Sequence, residues 1–231
     1  MPKISVVMSV YDGEKFLEEA VLSVLNQTYK DFEFIIIDDG STDSSLKMLR
    51  SFEKKDERIK LVSRENKGLT RSLNEGIKLA QGEYIARMDG DDISMPKRFE
   101  KQIDFLEKNK DIALCGTWAI NIDENGNEIG EYKTPTTNKE IRKMILFHNP
   151  FIHPSVMMRK EIINNVGLYN EKIKYAQDYE YWLRIIKKNK MANLNSFLLW
   201  YRIVKKSMTR KSNFPMRLEG VYMRLIYLLT K

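Results

Sequence analysis

Cysteine occurs once in the 231 residues, at Cys115, within the apolar run Ile112-Ala113-Leu114-Cys115. No disulfide framework can form inside the chain, which fits a reducing compartment, and a thiol so placed reads as core rather than nucleophile. Histidine occurs only at His148 and His153, both in one proline-containing loop. No uninterrupted apolar stretch is long enough to span a bilayer. Met1-Pro2-Lys3 runs straight into a strand pattern, so no export signal is expected and the cytoplasm is the expected compartment. Phosphate-cradling glycine loops are missing too. Tyr11-Asp12-Gly13-Glu14-Lys15 follows the first strand pattern where a dinucleotide-binding domain has Gly-x-Gly-x-x-Gly, and no Gly-x-x-x-x-Gly-Lys-Ser/Thr run exists. There is no basic stripe interleaved with aromatics, so nucleic acid is not an expected partner.

What is present is an ordinary globular composition, 42% hydrophobic and 31% charged. Short apolar runs at Ile4–Val10, Phe32–Ile37, Ile59–Val62 and Tyr84–Met88 read as buried strands, separated by helical patterns through Leu17, Leu49 and Leu73. That alternation predicts an α/β domain with a mainly parallel sheet, whose ligands bind at the carboxyl ends of the strands. Polar residues collect there: Ser9, Tyr11 and Asp12 after the first strand, Asp38 and Asp39 after the second, Asp89 and Asp91 after the fourth. Further on, the pattern predicts a helix over 97–109, a strand over 112–122, a hairpin turn at Asn125-Gly126, a helix over 139–147, a helix after Asp178 and a strand over 194–204.

The net charge of +7 is unevenly placed, since from Arg202 onward eight bases face the single acid Glu219. Apolar residues at helical spacing follow Phe214-Pro215. The tail therefore reads either as a reversible attachment to an anionic membrane surface or as a helix packed on the domain or on a second subunit of a homo-oligomer.

The densest chemistry lies in Ala86-Arg87-Met88-Asp89-Gly90-Asp91-Asp92, with three carboxylates in four residues. Each close pair repels by about 1 kcal/mol in water and by several times that where water is thin. A hard divalent cation is the usual counter-charge. Asp-Xaa-Asp supplies too few ligands for a protein cage, which suits Mg²⁺ or Mn²⁺ sharing its shell with water and substrate phosphates. Gly90 is expected to turn the backbone so that Asp89 and Asp91 point to one side. For an isolated motif the competing reading is a solvated acidic turn capping the next helix.

These residues, with Ile4-Ser5-Val6-Val7-Met8-Ser9-Val10-Tyr11-Asp12, Ser23-Val24-Leu25-Asn26-Gln27-Thr28, Ile37-Asp38-Asp39-Gly40-Ser41-Thr42-Asp43 and Gln177-Asp178-Tyr179, resemble family 2 glycosyltransferases of the GT-A fold over nearly the whole chain. Within that family the likeness is to bacterial enzymes that build capsular, exopolysaccharide or lipopolysaccharide chains. The resemblance implies a mainly parallel central sheet flanked by helices. It implies a catalytic domain over 1–204, with a nucleotide-binding half (1–95) and an acceptor-binding half (96–204), followed by the basic tail 205–231. It also implies metal-assisted, inverting transfer of a sugar from a nucleotide-diphosphate donor, UDP-linked, to a saccharide or lipid-linked hydroxyl.

Residue roles follow from the same likeness. Asp91 would ligate Mn²⁺ or Mg²⁺, Asp89 would lie on the ribose side, and Asp39 would accept from a uracil N–H. Tyr11 would pack beside the base, with Ser9 and Asp12 at the same edge. Arg71 is a candidate for added positive charge near the nucleotide. Asp178 is the candidate general base, or else a helix cap, with Tyr179 and Trp182 as candidate sugar-stacking rings. His153 is either a second metal ligand or a structural loop residue. Two departures matter: Gln177 stands where the family usually has Glu, and the Gln-x-x-Arg-Trp motif of processive synthases is absent. One sugar per encounter is expected. The rivals are a sugar-phosphate nucleotidyltransferase, which normally has a glycine-rich basic loop that this chain lacks, and a non-catalytic binding module.

Overall fold

The computed structural model describes residues 1–204, 219–221, 223 and 224. In chain order the elements are β1 (Ile4–Val10), α1 (Leu17–Leu25), β2 (Phe32–Asp38), α2 (Ser45–Glu53), β3 (Ile59–Ser63), α3 (Leu69–Leu79), β4 (Tyr84–Asp89), β5 (Ile93–Ser94) and α4 (Arg98–Lys108). They continue as β6 (Ile112–Ile122), β7 (Glu128–Tyr132), α5 (Asn138–Met144), β8 (Met157–Arg159), α6 (Ile163–Val166), α7 (Gln177–Lys188) and β9 (Lys190–Arg202).

One nine-stranded sheet runs through both halves of the chain in the order β3-β2-β1-β4-β8-β6-β9-β5, with β7 paired to β6. The first four positions are parallel, as the alternation predicts. Beyond β4 the sheet is mixed: β8 is antiparallel to both neighbours, β9 is parallel to β6, and β5 and β7 are antiparallel to theirs.

Strand alternation sends side chains to two apolar layers. Val7, Ile35, Ile37 and Ile85 pack with Leu73 and Ile77 of α3, Ile141 of α5 and Trp182, Ile185 and Ile186 of α7. Val6, Met8, Phe34, Ile36 and Met88 pack with Ala20, Val21 and Val24 of α1, Leu49 of α2 and Phe99, Ile103 and Leu106 of α4. Cys115 is fully buried in this second layer, and burial pushes its thiol up to about 12. It is core, as expected.

Two buried side chains fix the approach to the acid run. Gln27 donates to the carbonyl of Met95 at 2.8 Å and to Ser94 Oγ at 3.1 Å, and accepts from the Phe99 N–H at 3.1 Å. The Asn26-Gln27-Thr28 motif is thus a clasp on the segment that leaves the acids. Arg98, fully buried, donates from Nη2 to the carbonyls of Arg87 at 2.7 Å and Val156 at 3.3 Å, joining β4 to the segment before β8.

Most of the tail 205–231 lies outside the described residues. The tail residues that are described touch the domain: Met223 is buried in the first apolar layer, Glu219 accepts from the Tyr175 N–H at 2.8 Å, and Arg224 Nη1 donates to the Phe147 carbonyl at 2.7 Å. Arg202, grouped with the tail by charge, belongs to the body. Its side chain is 2% exposed and bonds Glu19 at 2.6 Å and the Asp91 carbonyl at 2.8 Å. Among the described residues no helix is long and apolar enough to cross a membrane.

Candidate active site

The parallel strands bring the sequence motifs to one edge. Ser9 of β1 sits opposite Ile37 of β2 and Asp89 of β4, and Val10 sits opposite Asp38. Asp12 follows in a left-handed conformation, φ 49°, which Asp tolerates better than most residues. Its carboxylate accepts from the Thr42 N–H at 2.7 Å, while its own N–H donates to Ser41 Oγ at 3.1 Å. Asp12 therefore ties the loop after β1 to the loop after β2. Tyr11 beside it is half exposed, with its ring free to cover a planar ligand.

Asp39 is 2% exposed, and its carboxylate is engaged by the chain itself. Oδ1 meets Arg64 and accepts from the Lys67 N–H at 2.8 Å, and Oδ2 accepts from the Gly68 N–H at 2.9 Å. With two lone pairs per oxygen, one on Oδ2 remains for a ligand N–H. The main work of Asp39 in this structure is to fold the 64–68 loop against the sheet edge. Gly40 makes this possible: at φ 79° it sits so close to that loop that a Cβ would lie 2.7 Å from the Asn66 nitrogen.

The end of β4 carries the acids. Asp89, Asp91 and Asp92 each offer an oxygen, all within 4.8 Å of one another, and they form the one such group found among the described residues. Gly90 is not what allows this. Its backbone is not left-handed, and a Cβ there would meet Val10 and Leu17 at ordinary distances of 3.5 and 3.9 Å. The turn is instead held from outside by β9. The Arg202 N–H donates to Asp92 Oδ1 at 2.8 Å, and Arg202 Nε donates to the Asp91 carbonyl. Asp92, one residue beyond the expected ligand, is 1% exposed, and its Oδ2 is buried with no hydrogen-bond partner.

Burial, then the charge of Asp89, pushes the Asp91 carboxyl up to about 6, and burial, then its two acidic neighbours, raise Asp92 well above the usual carboxylate range. Three crowded oxygens, one of them orphaned, fit a hard divalent cation. Arg87, 5% exposed, ion-pairs with Asp89, and the guanidinium of Arg202 sits against the Asp91 carbonyl.

The candidate base lies in the second half of the chain. Asp178 is the second residue of α7 and not its cap, which is Ala176. Oδ1 accepts from the Tyr179 N–H at 2.7 Å and Oδ2 from Asn149 Nδ2 at 2.6 Å. Burial outweighs these bonds and raises the Asp178 carboxyl. A partly desolvated carboxylate with an elevated pKa, held by two donors, is the arrangement expected of a general base.

Other expected site residues go elsewhere. Trp182 is fully buried and Tyr179 is 6% exposed, with its hydroxyl bonded to the Ile145 carbonyl. Neither ring can stack on a sugar: α7 is buried almost all round, so the aromatics beside Asp178 are core. His153 Nε2 bonds the Tyr169 hydroxyl at 2.9 Å, and its ring packs against Tyr169 and Trp182. Burial lowers its pKa well below the usual imidazole value, and it is not among the side chains that converge with the acids. Arg71 lies exposed on α3, paired with Glu171 at 3.3 Å.

Two rings that the sequence did not single out meet across β6, and one of them, Tyr201, directly precedes the Arg202 that holds the acids. Tyr132 of β7, 38% exposed, meets Tyr201 of β9 edge-on with centroids 6.4 Å apart. The Tyr132 hydroxyl is raised by burial and then by the charge of Asp178, and that of Tyr201 by burial and then by Asp92, Asp89 and Asp91.

Residues 5–167 match the family described as Glycosyl transferase family 2. An uncharacterized glycosyltransferase of Methanocaldococcus jannaschii is 41% identical over 207 residues, which cover 87% of this chain and 71% of that protein. The O-antigen biosynthesis glycosyltransferase WbnJ of Escherichia coli is 39% identical over 217 residues, covering 90% of this chain and 82% of that one. Among solved structures, S. aureus TarS 1-349 in complex with UDP-GlcNAc superposes with a TM-score of 0.79 at 20% identity, covering 98% of this chain and 66% of that chain. The mannosyltransferase PcManGT from Pyrobaculum calidifontis, in complex with GDP-Man and Mn²⁺, gives 0.74 at 14% identity, covering 100% of this chain and 65% of that chain. This chain thus spans about two thirds of the length of each of these solved structures, and at such identities the likeness is one of fold.

Proposed function

The chain belongs to glycosyltransferase family 2 and is related to polysaccharide-biosynthesis enzymes, and from that premise we propose that it moves one sugar from a UDP-linked donor to a saccharide or lipid-linked hydroxyl with inversion. The observation that carries this reading is the cluster at the end of β4, where oxygens of Asp89, Asp91 and Asp92 lie within 4.8 Å of one another and Asp92 Oδ2 is buried with no hydrogen-bond partner. A leaving-group site of this kind and a base, here Asp178 held by Asn149, are what a single displacement needs.

Asp91 and Asp92 would hold Mn²⁺ or Mg²⁺, with Asp89 turned toward Arg87 and the ribose. The cation would supply Lewis-acid neutralisation of the charge that develops on the diphosphate. Ser9, Tyr11 and the loop pinned by Asp12 and Asp39 would seat the nucleoside. Asp178, oriented by Asn149, would take the proton of the acceptor hydroxyl as its oxygen attacks the anomeric carbon. The bond from that carbon to the diphosphate breaks on the opposite face, and UDP departs. Assistance of this kind is typically worth about 10² to 10⁴ in rate. Tyr132 and Tyr201 replace Tyr179 and Trp182 as the proposed sugar-contacting rings. A lipid-linked acceptor would be met at the inner face of the cell membrane, and we place the enzyme there, held by the bases of the tail.

A panel of UDP-, GDP-, TDP- and CMP-sugars, offered with Mn²⁺ and scored for release of nucleotide, tests the reading. Turnover of a UDP-sugar supports it; turnover of a GDP-sugar alone would replace the donor, and no turnover of any would remove it.

A further inference from the structure

The helix that carries Asp178 begins without a side-chain cap of its own. Its cap residue is Ala176, which has nothing to offer a backbone N–H. The residues that lead into the helix are held instead from the far end of the chain. Glu219 Oε2 accepts from the backbone N–H groups of Tyr175 at 2.8 Å and Ala176 at 3.1 Å, and Oε1 accepts from that of Lys174 at 3.4 Å. Glu219 is the only acid from Arg202 onward, set among eight bases.

Close by, the same stretch of chain grips the other support of Asp178. Arg224 Nη1 donates to the Phe147 carbonyl at 2.7 Å, two residues before Asn149, whose Nδ2 bonds Asp178 Oδ2 at 2.6 Å. Met223, 7% exposed, belongs to the same apolar layer as Ile141, Ile145, Tyr179 and Trp182. Residues 174–176 and 147–149 come to Asp178 from separate parts of the chain. Glu219 holds one segment and Arg224 the other.

We propose that Glu219, with Arg224, is a positioning device for Asp178: the C-terminal segment clasps the two loops that aim the carboxylate at the acceptor. Glu219 touches no reacting atom. This rests on the reading of Asp178 as the base. It makes the placement of that base depend on whether the C-terminal segment is docked, so anything that binds or displaces the segment acts on acceptor activation and leaves the donor half alone.

The test uses Glu219→Ala and Glu219→Gln in the full-length chain. Amide hydrogen exchange reads the clasp directly and needs no substrate. In Glu219→Ala the amides of residues 174–179 should exchange at least about tenfold faster, while those of β1 and β4 are unchanged. With the donor found by the nucleotide-sugar panel, kcat should fall by about tenfold to a hundredfold, the effect of a misplaced reacting group. KM for the donor should stay within about twofold. Glu219→Gln keeps an oxygen acceptor and should recover most of kcat. Unchanged exchange at 174–179 overturns the proposal. So does faster exchange with kcat intact, or a loss of kcat matched by a loss of donor affinity, which marks Glu219 as generally structural. If the wild-type chain turns over no sugar nucleotide, the glycosyl-transfer reading is what fails, and the exchange result alone then decides whether the clasp exists.

Discussion

Replacing Arg87 with Met removes the buried positive charge that faces Asp89 and leaves a side chain of similar reach on β4. The cost can be worked from the geometry. Oxygens of Asp89, Asp91 and Asp92 come within 4.8 Å of one another. Two unit charges at that separation repel by about 3.5 kcal/mol at an effective dielectric of about 20. Breaking a buried pair by removing one partner costs about 3 to 5 kcal/mol. The Asp89 side chain is 29% exposed, so the lower end applies, about 3 kcal/mol. For a chain of this size that corresponds to a fall in Tm of about 6 to 12 °C. The deficit should depend on metal, because a divalent cation among the three carboxylates replaces the missing charge. Thermal melts in EDTA and in millimolar Mn²⁺ make the comparison. Arg87→Met should melt well below wild type in EDTA and recover most of the difference in Mn²⁺. An equal deficit in both buffers would show that Arg87 acts by packing alone and that the acids do not form a cation site.

Gly90→Ala should leave stability within about 0.5 kcal/mol and activity within a few-fold, since its added Cβ meets only ordinary contacts and the backbone there is not left-handed. Gly40→Ala should destabilise by at least about 2 kcal/mol, through left-handed strain and a clash 2.7 Å from the Asn66 nitrogen. Urea titration of both variants checks the pair; equal sensitivity would mean that the two motif glycines serve the same purpose after all. The tail is tested by flotation of the full chain with anionic and neutral vesicles at low and high salt. Attachment through Lys205, Lys206, Arg210 and Lys211 predicts flotation with anionic vesicles that is lost at high salt. Equal flotation in all four conditions would contradict it.

Local pattern was legible, and long-range partnership was not. Strands β1 and β6 run Ile4–Val10 and Ile112–Ile122 as their apolar periods predict, while the helix expected over 139–147 runs Asn138–Met144, opened by Thr137 and Glu140 capping one another. Strand β5 is two residues, too short to show a period, and β9 starts at Lys190, before its apolar run, because β6 supplies a partner there. Nothing in a strand's own sequence gives its direction, so the mixed half of the sheet was out of reach. The site shows the same division. The acids and Asp178 stood out as types in a pattern, whereas Arg202, Asn149 and Glu219 act through partners 29 to 111 residues away. Trp182 misled because an aromatic beside a candidate base looks like a sugar platform. Only the packing of α7 reveals it as core. Asp92 did leave a signal, a third acid after Asp-Gly-Asp, whose importance rests on burial that the sequence does not state.

The central claim is a division of labour: the acid cluster holds nucleotide through a cation, and Asp178 activates the acceptor. Calorimetry of UDP with Mn²⁺, run beside transfer assays on Asp91→Asn and Asp178→Asn, tests it most directly. Asp91→Asn should lose metal-dependent UDP binding and transfer together. Asp178→Asn should bind UDP within about threefold of wild type while transfer falls by about 10² or more. Loss of UDP binding in Asp178→Asn, or metal-independent UDP binding in the wild-type chain, would contradict the account.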